Sequence, residues 1–138
     1  MLSKNETFKP PTKSEEWANA EFANVLDYMC EQDVNFDGSI FLQWLAVPYI
    51  SIWFARVSNN NNVKVWIIHN LEFSDHIVSS DIKTSRDAII LFSTKWISQD
   101  ESNLRVRNNN RSKLKSFGSM LLNVGCDDEL WKDHEYCI

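Results

Sequence analysis

The segment YISIWFARVSNNNNVKVWIIH, residues 49–69, decides the fold. Both arms are rich in β-branched and aromatic residues, the types that fit a pleated, packed surface. Tyr49–Val57 carries apolar residues on both faces, which predicts a central strand. Ser58 and four consecutive asparagines follow, and Asn tolerates the left-handed backbone that tight turns require. Val63–His69 alternates, with Val63, Val65 and Ile67 on one face and Lys64, Trp66 and Ile68 on the other. The reading is a β-hairpin, 49–57 with 63–69. Two strands alone are marginal, so a third is expected from Ile40–Ala46, an apolar run that would also suit a short helix.

Helical periodicity surrounds this hairpin. Thr12-Lys13-Ser14-Glu15 fits a capping box, and Ala18, Phe22, Val25, Leu26 and Met29 then form an apolar stripe to about Gln32. Ile82, Ser85, Ile89, Phe92 and Trp96 predict a second helix over about 84–99. Leu114, Phe117 and Leu121 predict a third over about 111–123, stopped near Gly125. Asp127 or Asp128 can cap a last short turn through Trp131. The expected fold class is α+β, a small antiparallel sheet packed against helices. Residues 1–13 read as a flexible arm and 14–138 as one globular domain, since 138 residues can bury roughly two-thirds of their unfolded surface without a metal or disulfide.

Net charge is −5, from 14 cations and 19 carboxylates. That balance disfavours nucleic acid as the main partner, because phosphate binding needs surplus cations. The charges run in blocks. Seven carboxylates and no Lys or Arg lie between Ser14 and Asp37, while five cations and no acid lie between Leu104 and Lys115. The tail from Cys126 carries five carboxylates against Lys132. The N-terminus is polar and lacks the apolar region of a signal peptide. The apolar stretch 40–57 is broken by Gln43, Pro48, Ser51 and Arg56, so no membrane span is expected. Three cysteines suggest reduced thiols and a cytoplasmic protein.

The run DVNFDGSI, residues 33–40, resembles half of a calcium loop. Asp33, Asn35, Asp37 and Gly38 match its first ligand and glycine positions, but the bidentate Glu is replaced by Trp44. A turn is the simpler reading, with a weak cation site as the alternative. Asp75 beside His76, with His69 nearby, could carry acid–base chemistry or a ligand pocket over 69–87; equally, Asp75 could cap a turn in a loop. Cys126, His134 and Cys137 fall short of a zinc set, and three glycines make a nucleotide loop hard to build. No metal, cofactor or catalytic residue is expected. Cys30 reads as a buried thiol.

Leu45-Ala46-Val47-Pro48, Ile52-Trp53, Val65-Trp66-Ile67-Ile68, Asp75-His76-Ile77, and Arg86-Asp87-Ala88-Ile89 with Phe92-Ser93 and Trp96 together resemble a family known as domain of unknown function 4826, over about 15–99. The resemblance implies a small soluble bacterial protein with no assigned activity, and puts the basic loop and acidic tail outside the shared domain. With no catalytic constellation, segregated charge and six Trp, the expectation is a non-catalytic binding protein, of the immunity or antitoxin type. It would neutralise a basic toxin domain. Asp127, Asp128, Glu129, Trp131, Glu15, Glu16 and Glu21 are the expected partner-binding residues.

Overall fold

A computed structural model describes residues 13–46, 50–70, 72–107 and 110–132. The elements run α1 (Lys13–Glu31), β1 (Phe36–Ala46), β2 (Ile50–Val57), β3 (Asn60–His69), β4 (Phe73–Ser79), α2 (Ser85–Ile97), β5 (Arg105–Val106), a 3₁₀ turn (Asn110–Lys113), α3 (Leu114–Gly125) and α4 (Asp128–Trp131). The five strands form one antiparallel meander in the order β1-β2-β3-β4-β5. The α+β expectation holds, and Ile40–Ala46 belongs to a strand. The residue 1–13 arm lies outside the described residues save for Lys13, which opens α1.

Strand alternation builds two cores. Ile50, Ile52 and Phe54 of β2 and Trp66 and Ile68 of β3 face α2, α3 and α4, joining Ile89, Phe92, Trp96, Leu121 and Trp131. Trp53 and Ala55 of β2 and Val65 and Ile67 of β3 face the other way, onto Val25, Tyr28 and Met29 of α1. The molecule is thus three layers, one helix over one sheet face and three helices over the other. That two-sided burial explains why both hairpin arms lack a polar face. In the turn, Asn59 takes the left-handed conformation at φ 64, and β3 starts three residues earlier than its apolar pattern, with Asn60 opposite Val57.

The DVNFDGSI run has structural duties. Asp33 has φ 54; its N–H bonds the Cys30 carbonyl at 3.1 Å, and Val34 N–H bonds the Met29 carbonyl at 3.1 Å. This pair of bonds is a Schellman stop for α1, completed by Val34 packing into the core that holds Met29. Gly38, at φ 95, sits in the register shift between Phe36 and Ile40, a bulge that suits glycine. Asp37 Oδ1 accepts from Ser39 N–H. Trp44 packs on Trp131, their rings 4.9 Å apart.

Helix α1 lies on the sheet rotated from its expected stripe. Val25 and Met29 are buried, but Phe22 is 43% exposed, while Glu21 and Tyr28 are buried in its place. Cys30, expected to be buried, is exposed for the same reason. Helix α2 is capped by Thr84, whose side chain accepts from Asp87 N–H, and buries its expected stripe. It packs closely on α3. A Cβ on Gly118 would sit 2.9 Å from the Ile97 backbone nitrogen, a contact no flexible side chain can relieve. Gly118→Ala should therefore lower stability by about 1–3 kcal/mol, the usual cost of overpacking, read as a lower urea midpoint.

Candidate functional site

The polar residues of interest converge on β4. Residues 73–79 form a strand, so the expected loop between His69 and His76, with Asp75 as its turn cap, is corrected. Its FSDHIVS sequence sends Ser74 and His76 toward α1 and Asp75 toward α2. Beneath α1, Ser74 Oγ lies 2.6 Å from His69 Nδ1. His69 Nε2 lies 3.4 Å from Glu21 Oε2, and Ser51 Oγ donates to the same oxygen at 3.0 Å. Arg105 Nη2 donates to Ser74 Oγ at 3.4 Å, leaving the Ser74 hydroxyl hydrogen for His69 Nδ1. These contacts select the neutral His69 tautomer with hydrogen on Nε2. Burial, and then the Arg107 and Arg105 cations, hold its pKa down to about 3. Burial pushes Glu21 up, opposed by the Ser51 hydrogen bond and Arg107. The Glu21–His69 contact thus joins a carboxyl group to a neutral imidazole, and is not a salt bridge.

Serine, histidine and glutamate in a row have the residue types of a hydrolytic triad. The geometry argues for structure instead. His69 and Ser74 are each 1% exposed and Glu21 is 4% exposed, and the grooves along Leu42–Ala46, beside His76 and at Phe117 are lined by none of the three. A nucleophile needs a path to its substrate.

A second network lies alongside. Tyr28 Oη donates to the Asn103 carbonyl and is 2.8 Å from His76 Nδ1. The single phenol hydrogen is used on Asn103, so His76 carries its hydrogen on Nδ1 and its Nε2 is bare. Burial, then Lys95, lowers His76 to about 4, and burial raises Tyr28. On the opposite face, the fully buried Asp75 accepts from Lys95 Nζ at 2.8 Å, Trp96 Nε1 at 2.7 Å and His76 N–H at 2.8 Å. Burial raises Asp75 and these bonds oppose it. Asp75-His76 and Trp96, at opposite ends of the family-like pattern, are therefore one packed unit. His76, Ile77, Val78, Leu91, Thr94, Lys95, Asp100 and Asn103 border an open groove of about 380 Å³ beside it.

The expected partner-binding residues divide. Glu15 and Glu16 are exposed on α1. Asp127, Asp128 and Glu129 are exposed at α4, on the opposite face of the sheet, so they share no surface with the first-helix acids. Asp127 caps α4 by accepting from Leu130 N–H, and Asp128 pairs with Arg86 at 2.5 Å. Two expectations are corrected. Glu21 is buried against Ser51 and His69, and Trp131 is 0% exposed, donating Nε1–H to the Val124 carbonyl. Neither is presented to a partner. The charge blocks also mix in space: Arg105 of the basic run reaches Asp27 at 3.3 Å and Glu31 at 3.2 Å. Among the described residues no helix is long and apolar enough to cross a membrane, and no cluster of three or more His, Cys, Asp or Glu could hold a metal. His134 and Cys137 lie outside the described residues.

Two measurements test these networks. Asp75→Ala leaves the Lys95 ammonium without its counter-charge, holding only the Asp100 carbonyl, and the Trp96 indole N–H without its acceptor, and should cost about 3–5 kcal/mol; Asp75→Ala combined with Lys95→Met should cost less than the sum of the two single changes, seen in urea unfolding. The second is pH. Unfolded histidines take up protons near their ordinary 6.5, whereas the folded protein holds His69 near 3 and His76 near 4. The unfolded state binds more protons between these values. The histidine contribution is complete above about pH 6.5 and is lost as pH falls, toward about 4 for His76 and about 3 for His69. Raised Glu21 and Asp75 act oppositely, favouring the fold as they take up protons. His76→Gln should flatten the acid decline in the urea midpoint, and Glu21→Gln should steepen it.

No curated protein matches this chain, and no solved structure does. A family model does match, over residues 12–134, which takes in the basic segment and most of the acidic tail that the sequence placed outside the shared domain. The chain belongs to the domain of unknown function family DUF4826.

Proposed function

We propose that this protein is a non-catalytic binding protein of the immunity or inhibitor type, which covers a basic domain of another protein with the outer face of α1. The observation that carries the reading is the division between closed chemistry and open charge. Glu21, His69, Ser74 and Asp75 are spent on internal contacts. The solvent side of α1 carries exposed Glu16, Asp27 and Glu31, with Glu15 and the exposed Phe22 along the edge where Phe22 meets Trp53. A carboxylate field bordered by one aromatic anchor suits steering toward a basic surface and a single buried contact at its edge. Arg105 holds Asp27 and Glu31 in place from the sheet edge, so part of the field is preorganised. The immunity-type role accounts for a small acidic protein without a reactive centre.

A second reading rests on the groove beside His76. Its bare Nε2, the Lys95 ammonium and the Asn103 amide border a concave site with Leu91 and Val78, the mixture a small ligand would use.

Capture from host lysate with the tagged protein separates the two. A stoichiometric basic partner should co-purify at low salt, leave at high salt, and be lost from the Glu15→Lys, Glu16→Lys double variant with the fold intact. Capture indifferent to salt and to both changes would sink the electrostatic reading. Under the groove reading, the His76 ring resonances instead move on adding a small-molecule extract.

A further inference from the structure

The groove beside His76 is one-sided in its hydrogen bonding. It lies between β4 and α2 and has a volume of about 380 Å³, within the range of small-ligand sites. His76 borders it, although the residue is only 7% exposed. Its Nδ1 hydrogen goes to Tyr28, and among the described residues no donor meets Nε2. Burial keeps the ring neutral near neutral pH, so that nitrogen is an unused acceptor. Asn103 Nδ2 donates to the His76 carbonyl at 3.1 Å, which leaves Asn103 Oδ1 as a second acceptor. Thr94 gives its hydroxyl hydrogen to the Ile90 carbonyl at 3.0 Å and keeps its oxygen lone pairs. Asp100 accepts from Ser102 N–H at 3.0 Å and, as an exposed carboxylate, has further lone pairs to offer.

The one cation of the lining is already committed. Lys95 Nζ meets Asp75 Oδ1 at 3.1 Å, Asp75 Oδ2 at 2.8 Å and the Asp100 carbonyl at 3.1 Å, which uses its three hydrogens. Asp75 offsets its charge, so Asp100 remains as the net charge of the groove. Hydrogen bonds from Ser102, and then Lys95, hold Asp100 below the ordinary carboxylate range. Ile77, Val78 and Leu91 supply apolar wall, and Val78 and Leu91 are largely open to solvent. We infer that this groove binds a small organic cation, a free ammonium or guanidinium on a short alkyl stem. The inference rests on the second reading above, a ligand groove at His76, and gives that ligand a chemistry. The head donates to the acceptor set, is matched in charge by Asp100, and leaves its stem on Val78 and Leu91. An anion would bring lone pairs against lone pairs beside a carboxylate. A bare metal ion lacks ligands here, since no cluster of three or more His, Cys, Asp or Glu exists among the described residues.

Long-range proton–nitrogen spectra of the histidine rings in the full chain, near neutral pH, test this. The probes are n-butylammonium and n-butylguanidinium, with n-butyrate and n-butanol as controls at matched pH and ionic strength. Either cation should shift His76 saturably, with a Kd of roughly millimolar, and the controls should not. His69, buried outside the groove, should stay unmoved. Leu91→Lys, on an exposed side chain, should abolish binding with the fold intact by circular dichroism. Asp100→Asn should weaken it about two- to fivefold, the size of an exposed ion pair. Butyrate or butanol binding as well as the cations overturns the inference and leaves a ligand groove of another chemistry. So does cation binding that ignores Leu91→Lys, or a response confined to a lysine- or arginine-bearing peptide. Silence from every probe also overturns it; if a small-molecule extract then still moves His76 the groove reading survives, and if the extract is silent too that reading falls with it.

Discussion

The buried carboxylate of Asp75 is the contact around which the three layers are arranged. It sits in β4, takes an ammonium from Lys95 and an indole N–H from Trp96, both on α2, and closes the backbone of His76 beside it. A lone carboxylate in that position would neutralise or unfold the protein. Held by three donors, it fixes the height of α2 on the sheet. The position of α2 then fixes α3, because Gly118 and Gly125 bring the two helices within a hydrogen's reach of Ile97 and Ile90.

The other sheet face uses the same strand differently. Ser74 and His76, one residue to either side of Asp75, enter separate hydrogen-bonded sets with His69, Glu21, Tyr28 and Asn103. A short segment of alternating polar residues thus anchors α1 on one side and α2 on the other. Buried polar sets of this kind contribute little net stability but penalise misregister, since a one-residue slip would strand every one of them. The D-H-I and R-D-A-I-x-x-F-S-x-x-W residues read as a structural signature. Arg86 ties α2 to the Gly125 carbonyl and to Asp128, Asp87 closes the Thr84 cap, and Trp96 returns to Asp75. Membership in DUF4826 therefore marks a way of packing before it marks any chemistry.

Charge tells a related story. In the chain the acids and bases stand in blocks, which invites a picture of separate surfaces. Folding brings Arg105 against Asp27 and Glu31, and Arg86 against Asp128, so much of that segregation is internal neutralisation. The exposed carboxylates are split between the two faces of the sheet, with α1 on one and Asp127–Glu129 on the other.

The sequence by itself determined the elements whose signals are local. The hairpin of residues 49–69, the second-helix stripe from Ile82 to Trp96, the third-helix stripe at Leu114, Phe117 and Leu121, and the Asp127 cap all follow from periodicity and turn chemistry acting over a few residues. Tertiary structure alone decided the rest. Strand β4 was illegible because serine, aspartate and histidine disfavour strands until partners on two different helices satisfy them. The rotation of α1, which buries Glu21 and Tyr28 and exposes Phe22 and Cys30, was hidden because an apolar stripe cannot anticipate that a carboxylate will find Ser51 and an imidazole 30 to 48 residues away. Trp131 became core because Trp44 waits for it across the sheet edge. Local patterns specify which elements form; only the assembled layers determine which polar groups can afford to be inside.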